Sequence, residues 1–446
     1  MIRRFVHVSD IHFGQEKNGT KIPQDDARRK LVEDVAEFAK MRGKADLVLV
    51  LGDVAYSGKA EEYRSAGLWL DNLTRAAGCA ETDVAVVPGN HDCDRSELNV
   101  VSSVIHQNIR GGSVANAHMV LDQIANGREE ANLILPKFKA FREFAASYNS
   151  DFVSAVAPSW TKNLPLGNGV TLRFIGLTSV QICDSDDRLG SMVLGCSQYV
   201  FPDEPDVINV VMMHHPIEWF MDATEARQYL HSRARVIMVG HEHLPRVHYT
   251  QDQAQNAWID VHSGAATPPT DDAPYTHAYN WIEIGLRQKG GQSVLAVEVF
   301  PRAWLPEKTR FLADRRALPE RDSIVFEIPC TSLRSAVPAA MNAPEPPLRM
   351  DQSESAPPAA SAPQDAAKIE KGLIKLKFLF WRHLDWQQRL QVLVKADVLP
   401  KNADRPLPQT MERLALDRAR VDGKLRAVWD AMLPLLPSEK RDSNPF

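Results

Sequence analysis

The sequence predicts an α/β fold with two stacked sheets, followed by a linker and a small all-α domain. Apolar, β-branched runs alternate with helical apolar periods up to residue 92, and further strand-like runs recur between residues 170 and 328. A Pro- and Ala-rich stretch separates these runs from a second helical region. The 446 residues exceed the size at which one core stops growing, about 250–300 residues, so we expect more than one domain.

The first part of the chain alternates strands and helices. A strand over residues 5–8 precedes an amphipathic helix within 25–42, and a strand over 47–51 precedes a second helix within 63–77. A third strand over 83–87 completes a β-α-β-α-β order. Open α/β sheets bind their ligands at the carboxyl ends of the strands, so we expect a functional site in the loops that follow these strands.

Residues 93–165 are predicted to form a helical insertion beside this site. Their apolar positions repeat at helical spacing within 96–110, 114–126 and 138–148, and we expect the aromatic residues among them to form a core. The sheet is expected to resume at 170–177. Further strands are predicted at 207–213 and 235–239, and then an antiparallel series at 246–249, 258–261, 279–286, 294–300 and 324–328. We expect these runs to form a second sheet that packs on the first.

The domain organisation follows from composition. We predict a main domain over residues 1–330, a flexible linker with seven prolines over 331–366, and a helical C-terminal domain over 367–446. This last domain holds 16 Lys and Arg against 10 Asp and Glu, whereas the preceding residues hold 36 against 47. The two domains are therefore expected to meet different partners.

Bulk properties narrow the class of protein. The composition is that of a globular protein, and the net charge of −5 does not indicate a nucleic-acid or membrane surface. No run of about 18 apolar residues occurs, so we expect no membrane span. The five cysteines lack the spacing of a metal site or of a disulfide framework, so we expect free thiols and a cytoplasmic location.

Potential metal ligands follow each strand that leads into the expected site. They are Asp10 and His12, Asp53, Asn90 and His91, His214, and His241 and His243. Oxygen and imidazole donors without cysteine suit Mn, Fe or Zn, and they argue against a structural zinc site. Two divalent ions that share one carboxylate would use the whole set of ligands and would activate a bridging water.

This set resembles the motifs of the calcineurin-like metallophosphoesterase superfamily. The superfamily pattern DxH, GD, GNHD, H and GHxH is present in order as Asp10-Ile11-His12, Gly52-Asp53, Gly89-Asn90-His91-Asp92, His214 and Gly240-His241-Glu242-His243. The resemblance covers about residues 1–330 and implies a four-layer αββα sandwich. It also implies two metal ions, one held by Asp10, His12, Asp53 and His243, the other by Asp53, Asn90, His214 and His241.

The resemblance also implies catalytic roles. Asp53 bridges the metals and positions the hydroxide between them, and His91 is unligated, faces the substrate phosphate and stabilises charge or protonates the leaving oxygen. Asn90 and His91 are expected to contact the substrate. Arg95, just past the third motif, is expected either to contact a phosphate or to pair on the surface or with the insertion. In many relatives an acidic residue three positions after the bridging Asp supports such a histidine, but here that position is Tyr56.

Two further residues are expected to lie behind the ligands. Asp92 follows His91 in the third motif, and His215 follows the ligand His214 in a His-His-Pro turn. Residues in such places usually orient the ligands and do not bind metal themselves.

The function that we expect is hydrolysis of a nucleotide or nucleic-acid phosphodiester. The residues of the first and third motifs most resemble those of bacterial members of the cyclic-nucleotide-phosphodiesterase type. A DNA or RNA nuclease and a phosphoprotein phosphatase are the alternatives, and a non-catalytic, metal-bound scaffold is a further one. The acidic main domain argues against unaided binding of long duplex DNA, which requires many phosphate contacts.

The C-terminal region contains Leu390-Gln391-Val392-Leu393, Ala396-Asp397-Val398-Leu399-Pro400 and Ala427-Val428-Trp429-Asp430. In the spacing of these segments it resembles the effector-associated adaptor domains of bacterial conflict systems. The resemblance covers residues 386–436 and implies recruitment of the enzyme to a protein partner, in a setting of antiviral defence. The first helix of this region combines lysines with aromatic residues, a pattern that fits a membrane surface, nucleic acid, a protein partner or simply the core of a helical bundle. The sequence leaves the oligomeric state open.

Overall fold

Two β-sheets form the centre of the protein. The computed structural model describes residues 1–16, 21–126, 135–150, 159–254, 256–268, 276–330, 333, 363–400, 403 and 405–446. The first sheet is built from strands β1 Ile2–Val8, β2 Leu47–Leu51, β3 Val84–Val87, β10 Ala278–Lys289, β11 Gln292–Leu305, β12 Arg310–Ala313 and β13 Ile324–Pro329. The second contains β4 Ser159–Gly167, β5 Val170–Leu177, β6 Val207–Met212, β7 Ala234–Val239, β8 Arg246–Gln251 and β9 Ala257–His262.

The strand order brings the expected site loops to one edge of each sheet. In the first sheet the order is β12-β11-β10-β1-β2-β3, with β13 also paired to β11, and β1, β2 and β3 run parallel. In the second sheet the order is β4-β5-β6-β7-β9-β8, with β5, β6, β7 and β9 parallel. The carboxyl ends of parallel strands share an edge, so the loops after them lie together.

The apolar runs of the strands are explained by burial on both faces. In β2, Leu47, Leu49 and Leu51 belong to the core between the sheets, whereas Val48 and Val50 belong to the core beneath the helices. Strands covered on both faces read as continuous apolar runs for this reason. Phe5 of β1 and Phe174 of β5 meet across the inter-sheet core with ring centroids 5.1 Å apart. The four-layer αββα prediction is confirmed.

Helices cover the outer faces of the sheets and form the C-terminal region. In chain order, the described helices of the main domain are α1 Lys21–Arg42, α2 Ala60–Ala77, α3 Val100–Gly111, α4 Val114–Asn126, α5 Lys139–Ser147, α6 Cys196–Tyr199 and α7 Ala223–Arg233. The C-terminal region contains α8 Pro363–His383, α9 Trp386–Lys395, α10 Gln409–Val421, α11 Leu425–Met432 and α12 Ser438–Arg441. Its prediction as a small all-α unit is confirmed.

The structure corrects the predicted sheets in several places. Residues 170–177 do not resume the first sheet but belong to the second, because β10 takes the free edge of β1. Strand β9 pairs antiparallel with β8, as predicted, but parallel with β7. Strands β10, β11 and β13 belong to the first sheet and not to the second. Residues 159–165, predicted as helical insertion, form most of β4, and the short strand β12 was not predicted. The predicted linker lies outside the described residues except for residue 333 and for residues 363–366, which begin α8.

The C-terminal helical bundle, residues 363–446, packs directly on the main domain. Its buried apolar residues join the same core cluster as those of α2 and α5, and the Phe378 ring lies 5.8 Å from that of Tyr148. Polar contacts surround this apolar contact: Arg382 with Asp71 at 3.2 Å, Arg389 with Glu143 at 3.2 Å, Lys440 with Glu81 at 2.7 Å, and Gln409 with the Arg142 carbonyl at 2.6 Å. The aromatic residues of α8 are therefore core residues.

Two expectations from bulk properties can be compared with the structure. All five cysteines are free thiols, as predicted. Among the described residues, no helix is both long enough and apolar enough to cross a membrane.

Candidate metal centre

The predicted ligands converge where the carboxyl ends of both sheets meet. Asp10 and His12 follow β1, Asp53 follows β2, and Asn90 follows β3. His214 follows β6, and His241 and His243 follow β7 of the second sheet. All of the carboxylate and imidazole members of this set belong to four overlapping groups whose ligand atoms lie within 4.8 Å of one another. The topology thus assembles one polar cluster from residues more than 200 positions apart.

Strained backbone presents most of these side chains. The φ angles are 54° at Asp10, 51° at His12, 53° at Asp53, 68° at His241 and 58° at His243. This left-handed region costs a non-glycine residue about 1–3 kcal/mol, and such strain persists where the surroundings hold it. Five of the ten described non-glycine residues with positive φ lie in this one cluster, which agrees with the site that the motifs predict.

Close glycine contacts let the loops approach one another. Gly52 has a φ of 85°, and a Cβ on it would lie 2.6 Å from His214 Nδ1. A Cβ on Gly89 would lie 2.1 Å from Asp53 Oδ1. Both positions require glycine because any side chain would push a ligand loop out of the cluster.

Asp53 lies at the centre of the cluster. Its Oδ2 is 3.3 Å from His12 Nε2 and 3.3 Å from His214 Nε2. On one side His243 Nε2 is 3.2 Å from Asp10 Oδ1, and on the other His214 Nε2 is 3.2 Å from Asn90 Oδ1. One carboxylate between two sets of nitrogen and oxygen donors is the arrangement that a shared ligand of two metal ions requires.

Backbone carbonyls orient the ligand imidazoles. His12 Nδ1 is 3.1 Å from the Thr267 carbonyl oxygen, and His214 Nδ1 is 2.7 Å from that of Leu51. When Nδ1–H donates to a carbonyl, the lone pair is left on Nε2, which in both residues faces the cluster. Metal-binding histidines are commonly oriented in this way.

Arg28, which sequence reasoning missed, fixes the His12 loop. It is buried on α1, and its guanidinium donates to Thr267 Oγ1 at 3.2 Å and to the Ile11 carbonyl at 3.0 Å. An ion pair with Glu16 balances its charge. The same arginine therefore holds the His12 loop and the residue whose carbonyl orients the His12 ring.

Asp92 fastens the Asp53 loop to the Asn90 loop. Its buried carboxylate accepts hydrogen bonds from the backbone N–H groups of Ala55 and Gly89, each at 2.9 Å, and from the Tyr63 hydroxyl at 2.9 Å. Burial, with repulsion from Asp53, raises the pKa of Asp92 to about 6. The structure thus places Asp92 behind the ligands.

His91 is held by Asp53 and Tyr56. Its backbone N–H donates to Asp53 Oδ1 at 2.8 Å, and its Nδ1 is 2.9 Å from the Tyr56 carbonyl oxygen. The Tyr56 ring also stacks on the imidazole, with centroids 5.0 Å apart and planes at 22°. The backbone of residue 56 therefore orients His91, so the tyrosine side chain does not need to be acidic.

The charges in the cluster favour cation binding. Burial opposes ionisation of Asp53, but the charges of His214 and His91 outweigh it and hold the pKa of this carboxyl well below its usual value. Burial, with repulsion from His214, lowers the pKa of His241 to about 4. Burial opposes protonation of His214, yet the Asp53 carboxylate raises its pKa to about 9. An anionic carboxylate and a neutral imidazole are ready to bind a metal, and a metal at His214 would displace a proton.

His215 and Arg95 have different surroundings. His215 is buried, its Nδ1 is 3.0 Å from Ser179 Oγ, and its Nε2 has no hydrogen-bond partner in the described part of the chain. One of its ring nitrogens lies within 4.8 Å of ligand atoms of His214 and His241. Whether His215 orients a ligand, as predicted, or binds metal directly stays a prediction. Arg95 is exposed, and its charge contributes to the lowered pKa of His91, after burial and His12. A substrate phosphate at His91 would therefore be attracted by the positive charge of Arg95.

The donor set fits divalent metal ions. It combines buried carboxylates, an amide oxygen and imidazoles whose Nε2 atoms face one point, and it contains an orphaned buried nitrogen on His215. Hard and borderline divalent ions prefer such oxygen and nitrogen ligands.

Comparison with known proteins identifies the family. Residues 3–245 match the model of the calcineurin-like phosphoesterase family. Since this match covers more than half of the chain, the protein belongs to that family, as the motifs predicted. Residues 373–433 match a second model, the GTPase-associated adaptor domain, which confirms the predicted adaptor resemblance.

Individual relatives are distant. An uncharacterised metallophosphoesterase-like protein of Bacillus subtilis strain 168, YydB, is 20% identical over 277 residues, which is 59% of this chain and 53% of that protein. The chain thus spans about half the length of the curated relative it matches. Among solved structures, a purple acid phosphatase from yellow lupin (Lupinus luteus) seeds is 11% identical, with 73% and 54% of the two chains covered and a TM-score of 0.40. Chaetomium thermophilum Vps29 is 9% identical, with 73% and 100% covered and a TM-score of 0.28.

Proposed function

We propose that the protein is a binuclear metal-dependent phosphodiesterase that hydrolyses a nucleotide or nucleic-acid phosphodiester. The observation that supports this proposal most is the position of Asp53, with one carboxylate oxygen 3.3 Å from the imidazoles of His12 and His214. In the proposal, Asp10, His12, Asp53 and His243 hold one ion, and Asp53, Asn90, His214 and His241 hold the other. Two such ions supply Lewis-acid polarisation of the phosphoryl oxygens and an activated water.

His91 acts on the phosphate and the leaving group. Its Nδ1 donates to the Tyr56 carbonyl, so Nε2 is the ring atom left to meet the substrate. Burial lowers the pKa of His91 although Asp53 opposes the change, so the imidazolium is a stronger acid than free histidine. It protonates the leaving oxygen or stabilises charge on the phosphate, while Asn90 and Arg95 help to position that group.

The charge balance supports a small or single-stranded substrate. Residues 1–366 hold 36 Lys and Arg against 47 Asp and Glu, and long duplex DNA is bound through many cationic contacts to phosphate. A nuclease that relies on the basic bundle for charge is the runner-up, and a phosphoprotein phosphatase ranks third.

A substrate panel tests the proposal. The full chain loaded with Mn is assayed on cyclic mononucleotides, single-stranded and duplex DNA, RNA and a phosphopeptide, with an Asp53→Asn variant as the inactive control. We expect hydrolysis of nucleotide diesters that the control loses. Activity on the phosphopeptide alone, or no activity with Mn, Fe or Zn, would contradict the proposal.

We further propose that residues 367–446 recruit a protein partner, in bacterial antiviral defence, and that the enzyme works in the cytoplasm. The match to an adaptor-domain model supports recruitment, and the five free thiols suit a reducing compartment. The proposed domains are 1–330, with the insertion at about 93–165, then the linker 331–366 and the helical C-terminal domain 367–446. Leu414 and Val421 of α10 are 60% and 81% exposed. Changing both residues to Asp is expected to abolish partner capture by the full chain without altering turnover.

A further inference from the structure

A half-buried tryptophan, Trp219, lies at the edge of the candidate metal centre. It ends the short turn Ile217–Trp219, which begins directly after the His-His-Pro sequence that carries His214. Its ring centroid is 4.3 Å from that of His241 and 5.2 Å from that of His215. The indole is therefore in contact with the second-sheet side of the centre, beside a predicted ligand.

The backbone fixes the place of this indole. The Trp219 N–H donates to the Pro216 carbonyl at 3.0 Å, and the Trp219 carbonyl accepts from the Met192 N–H at 3.1 Å. The indole and the His241 ring are nearly perpendicular, at 86°. A perpendicular contact engages one edge or one face of the indole, and the side chain remains partly exposed, so a flat group can still stack on it.

Tyr56, the other aromatic residue at the centre, is already stacked. Its ring lies nearly parallel to the His91 ring, and its carbonyl holds His91 Nδ1. Tyr56 thus has a role in placing His91. Trp219 contacts the His215 and His241 rings at angles of 48° and 86°, so neither of these rings lies parallel to its indole.

We infer that Trp219 is a specificity-determining residue that stacks on an unpaired nucleobase of the substrate, an inference that rests on the proposed phosphodiesterase function. A scissile phosphate at the ligands places the attached base one ribose away, and Trp219 touches a ligand ring directly. Stacking of one base on an aromatic side chain is worth about 1–3 kcal/mol. Bases inside a duplex are covered on both faces, so the substrate class is a mononucleotide or the end of a single strand.

Steady-state kinetics with two substrates test this inference. The full chain, loaded with Mn, is compared with Trp219→Leu and Trp219→Phe variants on a cyclic adenosine monophosphate and on glycerophosphoethanolamine, an aliphatic diester with no ring to stack. For Trp219→Leu we expect KM for the nucleotide to rise about 5- to 150-fold, the equivalent of one stacking contact. We expect kcat, bound Mn and KM for the aliphatic diester to change less than about twofold, and Trp219→Phe to recover most of the nucleotide affinity.

The outcomes separate this inference from the proposed function. If the unaltered protein hydrolyses nucleotides and Trp219→Leu leaves their KM unchanged, the stacking role is wrong and the phosphodiesterase proposal stands. Equal losses on both diesters, or loss of Mn, would mean that Trp219 only supports His241, which also overturns the inference. If the unaltered protein hydrolyses the aliphatic diester alone, both the stacking role of Trp219 and the proposed function are wrong.

Discussion

The metal centre and the docking face of the C-terminal bundle are built in opposite ways. The centre collects polar side chains on loops, several of them with left-handed backbone, and polar neighbours hold each in place. The docking face uses ordinary helices, an apolar core shared with α2 and α5, and ion pairs at its margin. The strained loops of the metal centre lower the stability of the fold and provide reactive groups. The apolar core and ion pairs of the docking face raise its stability. Changes in the two regions should therefore affect different measurements.

Asp53→Asn is the change with the largest expected effect, and it would break the metal centre alone. The amide weakens a ligand that lies between His12 and His214, so turnover should fall by about 10³-fold or more, with loss of bound metal. Metal analysis and kcat are the measurements, and Asp203→Asn, on an exposed loop, is the matched control. Two tightly bound ions with normal turnover in Asp53→Asn would refute the assignment.

His91→Ala separates proton transfer from metal binding. The residue is held by Tyr56 and is not among the predicted ligands, so turnover should fall by about 10²–10⁴-fold while metal content stays constant. The loss should shrink for diesters with good leaving groups, which need less protonation. Loss of metal together with activity would show that His91 is itself a ligand.

Arg28→Met tests how far the support of the centre extends beyond the ligands. Because Arg28 holds the Ile11 carbonyl and Thr267, its loss should weaken Mn affinity by about 10–100-fold, measured by calorimetric titration. Arg29→Met is the matched control, since that neighbouring side chain is largely exposed. An Arg28 variant that unfolds at lower temperature but binds Mn normally would assign this arginine to stability alone.

Gly67→Ala has the smallest expected effect. Whether it raises or lowers the free energy of unfolding tests the contact at the docking face. In a free helix the change is stabilising by about 1 kcal/mol. Here a Cβ on Gly67 of α2 would lie 1.7 Å from Arg382 Nη1, so we expect the free energy of unfolding to fall by about 1–3 kcal/mol, with kcat unchanged. Denaturant unfolding of the full chain measures it. Adding Arg382→Ala removes the obstacle and should restore the helix-propensity gain, whereas stabilisation by Gly67→Ala alone would mean that the Arg382 guanidinium moves aside at little cost.

The sequence predicted which polar side chains cluster better than it predicted which strands pair. Strand-to-loop transitions predicted which side chains the structure brings together, because a buried apolar run that ends in Asp, His or Asn is a local signal. Strand β4 was missed because its alternation is interrupted by Pro165 and Gly167, and β12 because four residues carry little periodicity. The wrong pairing of residues 170–177 reflects a choice between sheets that only long-range contacts determine.

Two missed residues did carry a signal. Arg28 lies three and seven positions before Leu31 and Val35, so a charged residue shares the apolar face of α1 and must be buried with a partner. Trp219 follows the His-His-Pro turn, where a large aromatic residue near ligands can be recognised. Docking of the bundle had no such signal, because the fit of Arg382 over Gly67 depends on two helices more than 300 positions apart.

The pairing of β1 with β10 determines when the protein can become active during its synthesis. Ile2 lies opposite Gly285 in this pairing, and Asp10 meets His243 only after the second sheet has formed. Until the ribosome has released those later strands, the loop with Asp10 and His12 lacks His243 and the Thr267 carbonyl that orients His12, so nascent chains hold only part of the predicted ligand set. The centre is thus a late product of folding, and metal loading reports that both sheets are complete.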